Sequence, residues 1–193
     1  MTPIFQPVVS ESTASTRLRA GGAVVRKAKL PDAVNIFDLV NSLSGDGTLL
    51  RRSYAEICEN VRDFTVAESE SGVFLGCGAL HLYGPHLAEV RSIVVKPEAK
   101  GQGAGGRLLR ALLEEAEEQS VTAVCLFTRI PEFFARMGFA MAQREDLPDK
   151  IHKDCCNCPR LHCCDEVAMV RGELPKFAIL PEPLTSWLVK LQA

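Results

Sequence analysis

The spacing of hydrophobic positions along the chain changes several times, and each change marks an element. A β-rich run, Val24 to Lys29, comes first, and the Pro31-Asp32 pair behind it suits a helix start. The helix predicted there covers Ala33 to Asn41, with Val34, Phe37, Leu39 and Val40 as its apolar positions, and Ser44-Gly45-Asp46-Gly47 ends it. Ser53 and Glu56 have capping-box spacing ahead of Ile57 and Val61, so a second helix is expected from Ser53. Three strands follow, Phe64 to Ala67, Val73 to Leu82 and Glu89 to Val95. Gly72 and Gly84-Pro85 stand at the turns of this antiparallel meander.

Next, a glycine-rich turn opens a helix that runs to about Gln119. Leu108, Leu109, Leu112, Leu113 and Ala116 make one stripe of it, while Arg107, Arg110, Glu114, Glu117 and Glu118 lie elsewhere. Val121 to Phe127 reads as a buried strand and Pro131 to Met137 as a short helix stopped by Gly138. The last strand pair is expected at Phe139 to Gln143 and Val167 to Val170, joined by a cysteine-rich segment over 152–166. Cys77 and Cys125 fall within strands and are assigned to the core. Strands adjacent in sequence, mixed with helices, predict one α+β domain rather than a doubly wound parallel sheet. Its expected bounds are 23–171. Residues 1–22, rich in Ser and Thr and ending in Gly21-Gly22, read as a mobile lead-in, and 172–193 as a tail around Trp187-Leu188-Val189.

Composition adds exclusions. A chain of 193 residues suits one domain, and 47% hydrophobic with 24% charged residues is a globular balance. The net charge of −2 gives no overall attraction to nucleic acid or anionic lipid, so any charge recognition is local. No apolar run approaches the roughly 20 residues that span a bilayer. Residues 1–15 lack a basic stretch followed by an apolar one, so no secretory signal is expected and the expected location is cytoplasmic. In a reducing compartment the eight cysteines read as thiols or metal ligands rather than a disulfide framework.

The most informative stretch is Ser92-Ile93-Val94-Val95-Lys96-Pro97 followed by Lys100-Gly101-Gln102-Gly103-Ala104-Gly105-Gly106. A strand that feeds a glycine-rich turn and then a helix is an anion-binding arrangement. Backbone N–H groups at a helix start are unpaired, and glycine lets a phosphate approach them. Read alone, such a turn is equally a flexible loop at a helix start. The Gly106-Arg107-Leu108 ending departs from a nucleotide P-loop, and the position after about four strands departs from a dinucleotide fingerprint.

Lys100-Gly101-Gln102-Gly103-Ala104-Gly105 resembles the acetyl-CoA signature of GNAT acetyltransferases, Gln/Arg-x-x-Gly-x-Gly/Ala, with Lys100 keeping a cation at the first place. Phe133-Phe134-Ala135-Arg136-Met137-Gly138-Phe139 is similar to the second hallmark of that superfamily. The resemblance spans roughly 23–171 and implies the GNAT fold, a mixed, mostly antiparallel sheet flanked by helices, with acetyl-CoA as co-substrate. It further implies that backbone groups at Ile93, Val94 and Val95 hold the pantetheine arm and polarise the acetyl carbonyl. Amides of Lys100, Gly101, Gln102, Gly103, Ala104, Gly105 and Gly106 would then hold the pyrophosphate.

Leu49-Leu50-Arg51-Arg52-Ser53, Ala88-Glu89-Val90-Arg91-Ser92 and Thr128-Arg129 are similar to segments of bacterial N-acetylglutamate synthases. Leu147-Pro148-Asp149-Lys150, Asp154-Cys155, Cys158-Pro159 and Cys164 to Met169 are similar to their short single-domain form. The longer form's Arg-x-Ser element on the last strand is replaced here by Cys163-Cys164-Asp165. The reaction so implied moves an acetyl group from acetyl-CoA to the α-amino group of glutamate, the first step of arginine biosynthesis. Guanidinium groups match a diacid's carboxylates bidentately. That makes Arg51 and Arg52 a candidate clamp, with Arg91 and Lys153 as further candidates; the plain alternative is a solvated arginine pair.

An α-ammonium must lose a proton before it attacks. Glu89, beside the implied acetyl site, is the candidate base through a water; otherwise it is a surface carboxylate paired with Arg91. Phe134 stands where many GNAT enzymes have a tyrosine acid, leaving water or a hydroxyl such as that of Thr128. Cys155-x-x-Cys158 has zinc-ligand spacing, and Cys163, Cys164, His152 and His162 would complete a tetrahedral site; the alternative is a set of free thiols. Other readings are a GNAT enzyme for a different amine, or a catalytically silent acyl-CoA-binding regulatory module. The expected partners are small molecules, with a second copy through the Trp187 tail as a further candidate, and no nucleic acid and no membrane.

Overall fold

A computed structural model describes residues 23–44 and 49–174. The lead-in 1–22 and the tail around Trp187 lie outside the described residues, as do Gly45-Asp46-Gly47 of the first helix stop. Seven strands form one sheet in the order β1-β2-β3-β4-β5-β7-β6. They are β1 Ala23–Lys27, β2 Phe64–Ser69, β3 Phe74–Gly84, β4 Leu87–Val95, β5 Ala123–Thr128, β6 Ala140–Met141 and β7 Val167–Gly172. All neighbours pair antiparallel except β4 with β5. The helices are α1 Ala33–Ser42, α2 Tyr54–Glu59, α3 Ala104–Glu118, α4 Pro131–Ala135 and α5 Pro148–Lys153. The α+β expectation holds.

The amphipathic stripe of α3 is buried in full. Leu108, Leu109, Leu112, Leu113 and Ala116 pack on one face of the sheet, against Leu80, Ala88, Val90, Leu126 and Met169 among others. On the other face α1 and α2 cover β2 and β3, with Ile36, Val40 and Ile57 against Val66, Cys77 and Ala79. A separate cluster on β4, β5 and β7 joins Leu87, Cys125, Ala168 and Val170 to Leu147 just before α5. Cys77 and Cys125 are fully buried, as expected.

Two local readings change. In α1 the inward residue is Ile36, while Val34 is 52% exposed, because the 3.6-residue period carries Ala33, Ile36 and Val40 inward together. Pro148–Lys153 is helical where only a connecting segment was expected, and proline stands at the first helical position, where its missing N–H costs nothing. The Ser53 cap forms as the spacing predicts. Its hydroxyl accepts the Glu56 N–H at 3.2 Å, and the Glu56 carboxylate accepts the Ser53 N–H at 2.7 Å.

One irregularity positions everything that follows. Opposite Cys77 and Ala79 of β3 stand Val94 and Arg91 of β4, so three steps on β4 match two on β3. Ser92, with φ +52°, is the extra residue of this bulge. The bulge resets the alternation. Leu87, Glu89, Arg91 and Val94 face the α1/α2 side, and Ala88, Val90, Ile93 and Val95 face α3.

Candidate active site

The parallel pairing of β4 with β5 covers only Ala88–Val124 and Glu89–Cys125. β4 runs on to Val95 beside β3, and β5 runs on to Thr128 beside β7, so the two strands part after Glu89. Backbone groups of the Ile93 to Val95 stretch on that side therefore border a gap in the sheet. At its far end Lys96 to Gly103 lead into α3. Gly101 and Gly103 have φ of +78° and +80°, the left-handed region that glycine enters without strain, and Gly103 caps the helix in that conformation. The first-turn N–H groups of Ala104, Gly105 and Gly106 are the unpaired donors of a helix start, and a Cβ at Gly101 or Gly106 would meet nothing within 4 Å.

On the α1/α2 side, Glu89 is 3% exposed and its carboxylate is held by Lys150 and Tyr83. The Lys150 ammonium of α5 donates to Glu89 Oε1 at 2.7 Å and to Asp154 Oδ2 at 2.9 Å. The Tyr83 hydroxyl of β3 is 2.9 Å from Glu89 Oε2 and 3.0 Å from Asp154 Oδ2. A hydroxyl has one hydrogen, so it serves one carboxylate at a time, while the ammonium has three and serves both. Arg91 Nη1 is 4.0 Å from Asp154, and Arg91 Nη2 is 3.8 Å from Asp63. Neither expectation for Glu89 as a surface carboxylate nor its pairing with Arg91 is met; its ionic partner is Lys150, because α5 folds over this face.

The charges set the protonation states. Burial lowers the Lys150 ammonium, but the charge of Glu89 and the bonds to Glu89 and Asp154 outweigh that and raise it. Burial raises Asp154, but Lys150, Tyr83 and Arg91 together hold it below the ordinary value. Tyr83 is pushed far upward, by burial first and then by the two carboxylates, so it stays a neutral donor.

Arg52 lies across this group. Its Nε–H donates to Ser92 Oγ at 3.2 Å, on the bulge itself, and its backbone is clamped by Asn41, whose amide donates to the Arg52 carbonyl at 2.9 Å and accepts its N–H at 3.1 Å. Burial, then the like charge of Arg91, lowers its affinity for its proton. The charge of Arg91 is thus felt at Arg52, which among the described residues has no carboxylate in hydrogen-bond contact, whereas Arg51 is exposed. Lys153, a further candidate, donates to His81 Nε2 at 2.7 Å, leaving the Nδ1–H for Asp63 at 3.4 Å.

Thr128 Oγ1 accepts the Ile130 N–H at 3.0 Å, a turn contact ahead of α4. Phe134 is buried among Phe133 and Phe139. Among the described residues no group of three Cys, His, Asp or Glu is placed to hold a metal ion, so the zinc reading is not supported. His152, His162, Cys156 and Cys163 are exposed, and Arg144 Nη2 lies 3.1 Å from the Cys164 sulfur, a cation where a metal would sit. Tyr83, Lys150 and Asp154 had no assigned role in the sequence; the i, i+4 spacing of Lys150 and Asp154 was the available signal.

Residues 60–141 match the acetyltransferase (GNAT) domain model. An uncharacterised N-acetyltransferase of Chlorobaculum tepidum is 40% identical over 156 residues, 79% of this chain and 97% of that protein. The chain belongs to the GNAT acetyltransferase family. An amino-acid acetyltransferase of Mycobacterium tuberculosis is 33% identical over 135 residues, 69% of this GNAT chain and 77% of that protein. The structure of N-acetylglutamate synthase from Neisseria gonorrhoeae with coenzyme A and N-acetyl-glutamate superposes with a TM-score of 0.71 at 26% identity. That superposition covers 80% of this chain and 36% of that one. No helix among the described residues is long and apolar enough to cross a membrane.

Proposed function

We propose that this protein transfers the acetyl group of acetyl-CoA to the α-amino group of L-glutamate, releasing N-acetylglutamate and CoA, and so serves the entry to arginine biosynthesis. The observation that carries the acceptor choice is Arg52 beside Arg91. Two guanidinium groups, one of them without a carboxylate partner among the described residues, border a buried acidic group, which is an environment that stabilises a bound dicarboxylate carrying an ammonium. The amino-acid acetyltransferase and N-acetylglutamate synthase relatives support the same reading.

The gap between β4 and β5 supports a place for acetyl-CoA. Its pantetheine would lie along Ile93, Val94 and Val95 like an added strand, with its pyrophosphate on the amides from Lys100 to Gly106. The amine, once neutral, attacks the thioester carbonyl. The C–S bond then breaks, and the thiolate takes up a proton as CoA. Glu89 holds the water that accepts the ammonium's proton, and Lys150 and Tyr83 fix its carboxylate in place. The N–H groups of the bulged strand carry the developing oxyanion. Arg52 and Arg91 hold the acceptor's carboxylates, with Arg51 as an outer cation.

The test is CoA release from acetyl-CoA over a panel of single amino acids and a lysine peptide. A saturating rate with glutamate and little with the rest is expected. A rate with another amine alone overturns the acceptor and leaves the cofactor reading standing. Acetyl-CoA binding with no turnover on any acceptor would favour a regulatory module.

A further inference from the structure

The cysteines of the 152–166 segment have no part in the reaction above, and no metal group forms there among the described residues. The segment's first turn has a specific geometry. Cys155–Asn157 is a 3₁₀ turn, closed by the Cys158 N–H donating to the Cys155 carbonyl at 3.0 Å. Three residues per turn and a rise of about 2.0 Å per residue set Cα atoms three positions apart about 6 Å from one another. That is the commonest Cα separation across a disulfide, roughly 5.5–6 Å. Cys155 and Cys158 also line one cleft, together with Phe127, Lys150, Asp154 and Cys164. Cys155 is buried and Cys158 is partly exposed, so Cys158 is the more accessible of the two to a reagent.

We propose that Cys155 and Cys158 form an oxidisable dithiol, converted to a disulfide by low-molecular-weight disulfides, and that the bond lowers acetyl transfer. The Cys158 thiolate attacks the small disulfide and releases one thiolate, leaving a mixed disulfide on Cys158. The Cys155 thiolate then attacks the Cys158 sulfur and releases the second thiolate. Two protein thiols lose two electrons and two protons, and one disulfide is reduced to two thiols.

The link to the reaction is covalent and short. Asp154 directly precedes Cys155, donates its N–H to the Lys150 carbonyl at 3.1 Å, and carries the carboxylate held by Lys150 and Tyr83. Turning Cys155 toward Cys158 pulls on Asp154, and through Lys150 on Glu89. Cys164 does not share the turn. Its sulfur is bound by Arg144 and lies 3.8 Å from Glu166.

The test equilibrates the full chain in graded mixtures of oxidised and reduced glutathione, alkylates the remaining thiols and maps the linked peptides by mass. CoA release is read on the best acceptor of the panel, and acetyl-CoA affinity in parallel. The expected result is a Cys155–Cys158 link reversed by dithiothreitol, with CoA release about fivefold lower and acetyl-CoA affinity little changed. Cys155→Ser and Cys158→Ser should each abolish the link and the sensitivity, and Cys156→Ser should keep both. If the buried Cys155→Ser fails to fold, Cys158→Ser decides. A link to Cys164, glutathione adducts with no internal link, or thiols shielded by a stoichiometric bound zinc would each overturn the proposal. A Cys155–Cys158 link that leaves CoA release unchanged overturns the coupling, and glutamate being a poor acceptor leaves both readouts intact.

Discussion

Lys150 and Glu89 come from a six-residue helix and a central strand respectively, and their side chains meet at 2.7 Å with Lys150 8% and Glu89 3% exposed. Removing two such charges from water is costly, and Coulomb attraction alone seldom offsets it. Here the remaining hydrogen-bonding capacity is also used, on Tyr83 and Asp154. The pair therefore fixes a carboxylate at one point on β4 next to the bulge at Ser92.

Removing one partner leaves the other buried and unpaired. Lys150→Met is expected to cost about 3–5 kcal/mol of stability, and adding Glu89→Gln should recover a large part of it. Acetyl transfer should stay low in the double variant, because the carboxylate is gone. Urea unfolding and CoA release on the four forms decide this. Independent, additive losses of stability would contradict the ion pair.

Arg52 and Arg91 should separate from Arg51 in kinetics. A charge-assisted hydrogen bond contributes about 1.5–3 kcal/mol, so Arg52→Ala or Arg91→Ala should raise the acceptor KM by roughly ten- to hundredfold. The acetyl-CoA KM should hardly move. Arg51, exposed, should change the acceptor KM by only about twofold when replaced by alanine. Equal effects at Arg51 and Arg52 would place the carboxylates elsewhere.

Gly103 tests the cofactor loop. Its φ of +80° costs a residue with a Cβ about 1–2 kcal/mol, and the nearest atom to an added Cβ is the flexible end of Arg107 at 3.9 Å. Gly103→Ala should therefore lower stability by about that amount and raise the acetyl-CoA KM, leaving the acceptor KM in place. Thermal unfolding with a two-substrate kinetic grid distinguishes this from a general loss of activity.

The elements were legible wherever a local signal decides. The α3 stripe, the Ser53 cap with Glu56 and the meander of β2 to β4 follow from period and capping chemistry. The bulge was not, because Ala88, Val90 and Val94 keep an ordinary period of two across Ser92, and nothing in Ser92 announces φ +52°. Lys150, Tyr83 and Asp154 were missed for a different reason. Their role comes from α5 folding against β4, a contact between distant segments that no local pattern contains. The same contact buries Glu89 and so removes the alternative reading of it as a surface carboxylate.

The pH dependence of stability follows from the same group. Lys150 is raised above its ordinary value of 10.5, so its contribution is complete below that pH and is lost as the pH rises through the higher folded value. Asp154 is held below 3.8, so its contribution is complete above that pH and is lost as the pH falls through the lower folded value. Between them neither group changes charge. The difference in urea midpoint between the parent protein and Asp154→Asn should therefore be flat from about pH 5 to about pH 9 and shrink only outside that window, in strong acid as Asp154 takes up a proton and in strong base as Lys150 loses one. Such a difference collapsing already between about pH 5 and pH 7 would mean that Asp154 is not held ionised by Lys150 in the folded protein.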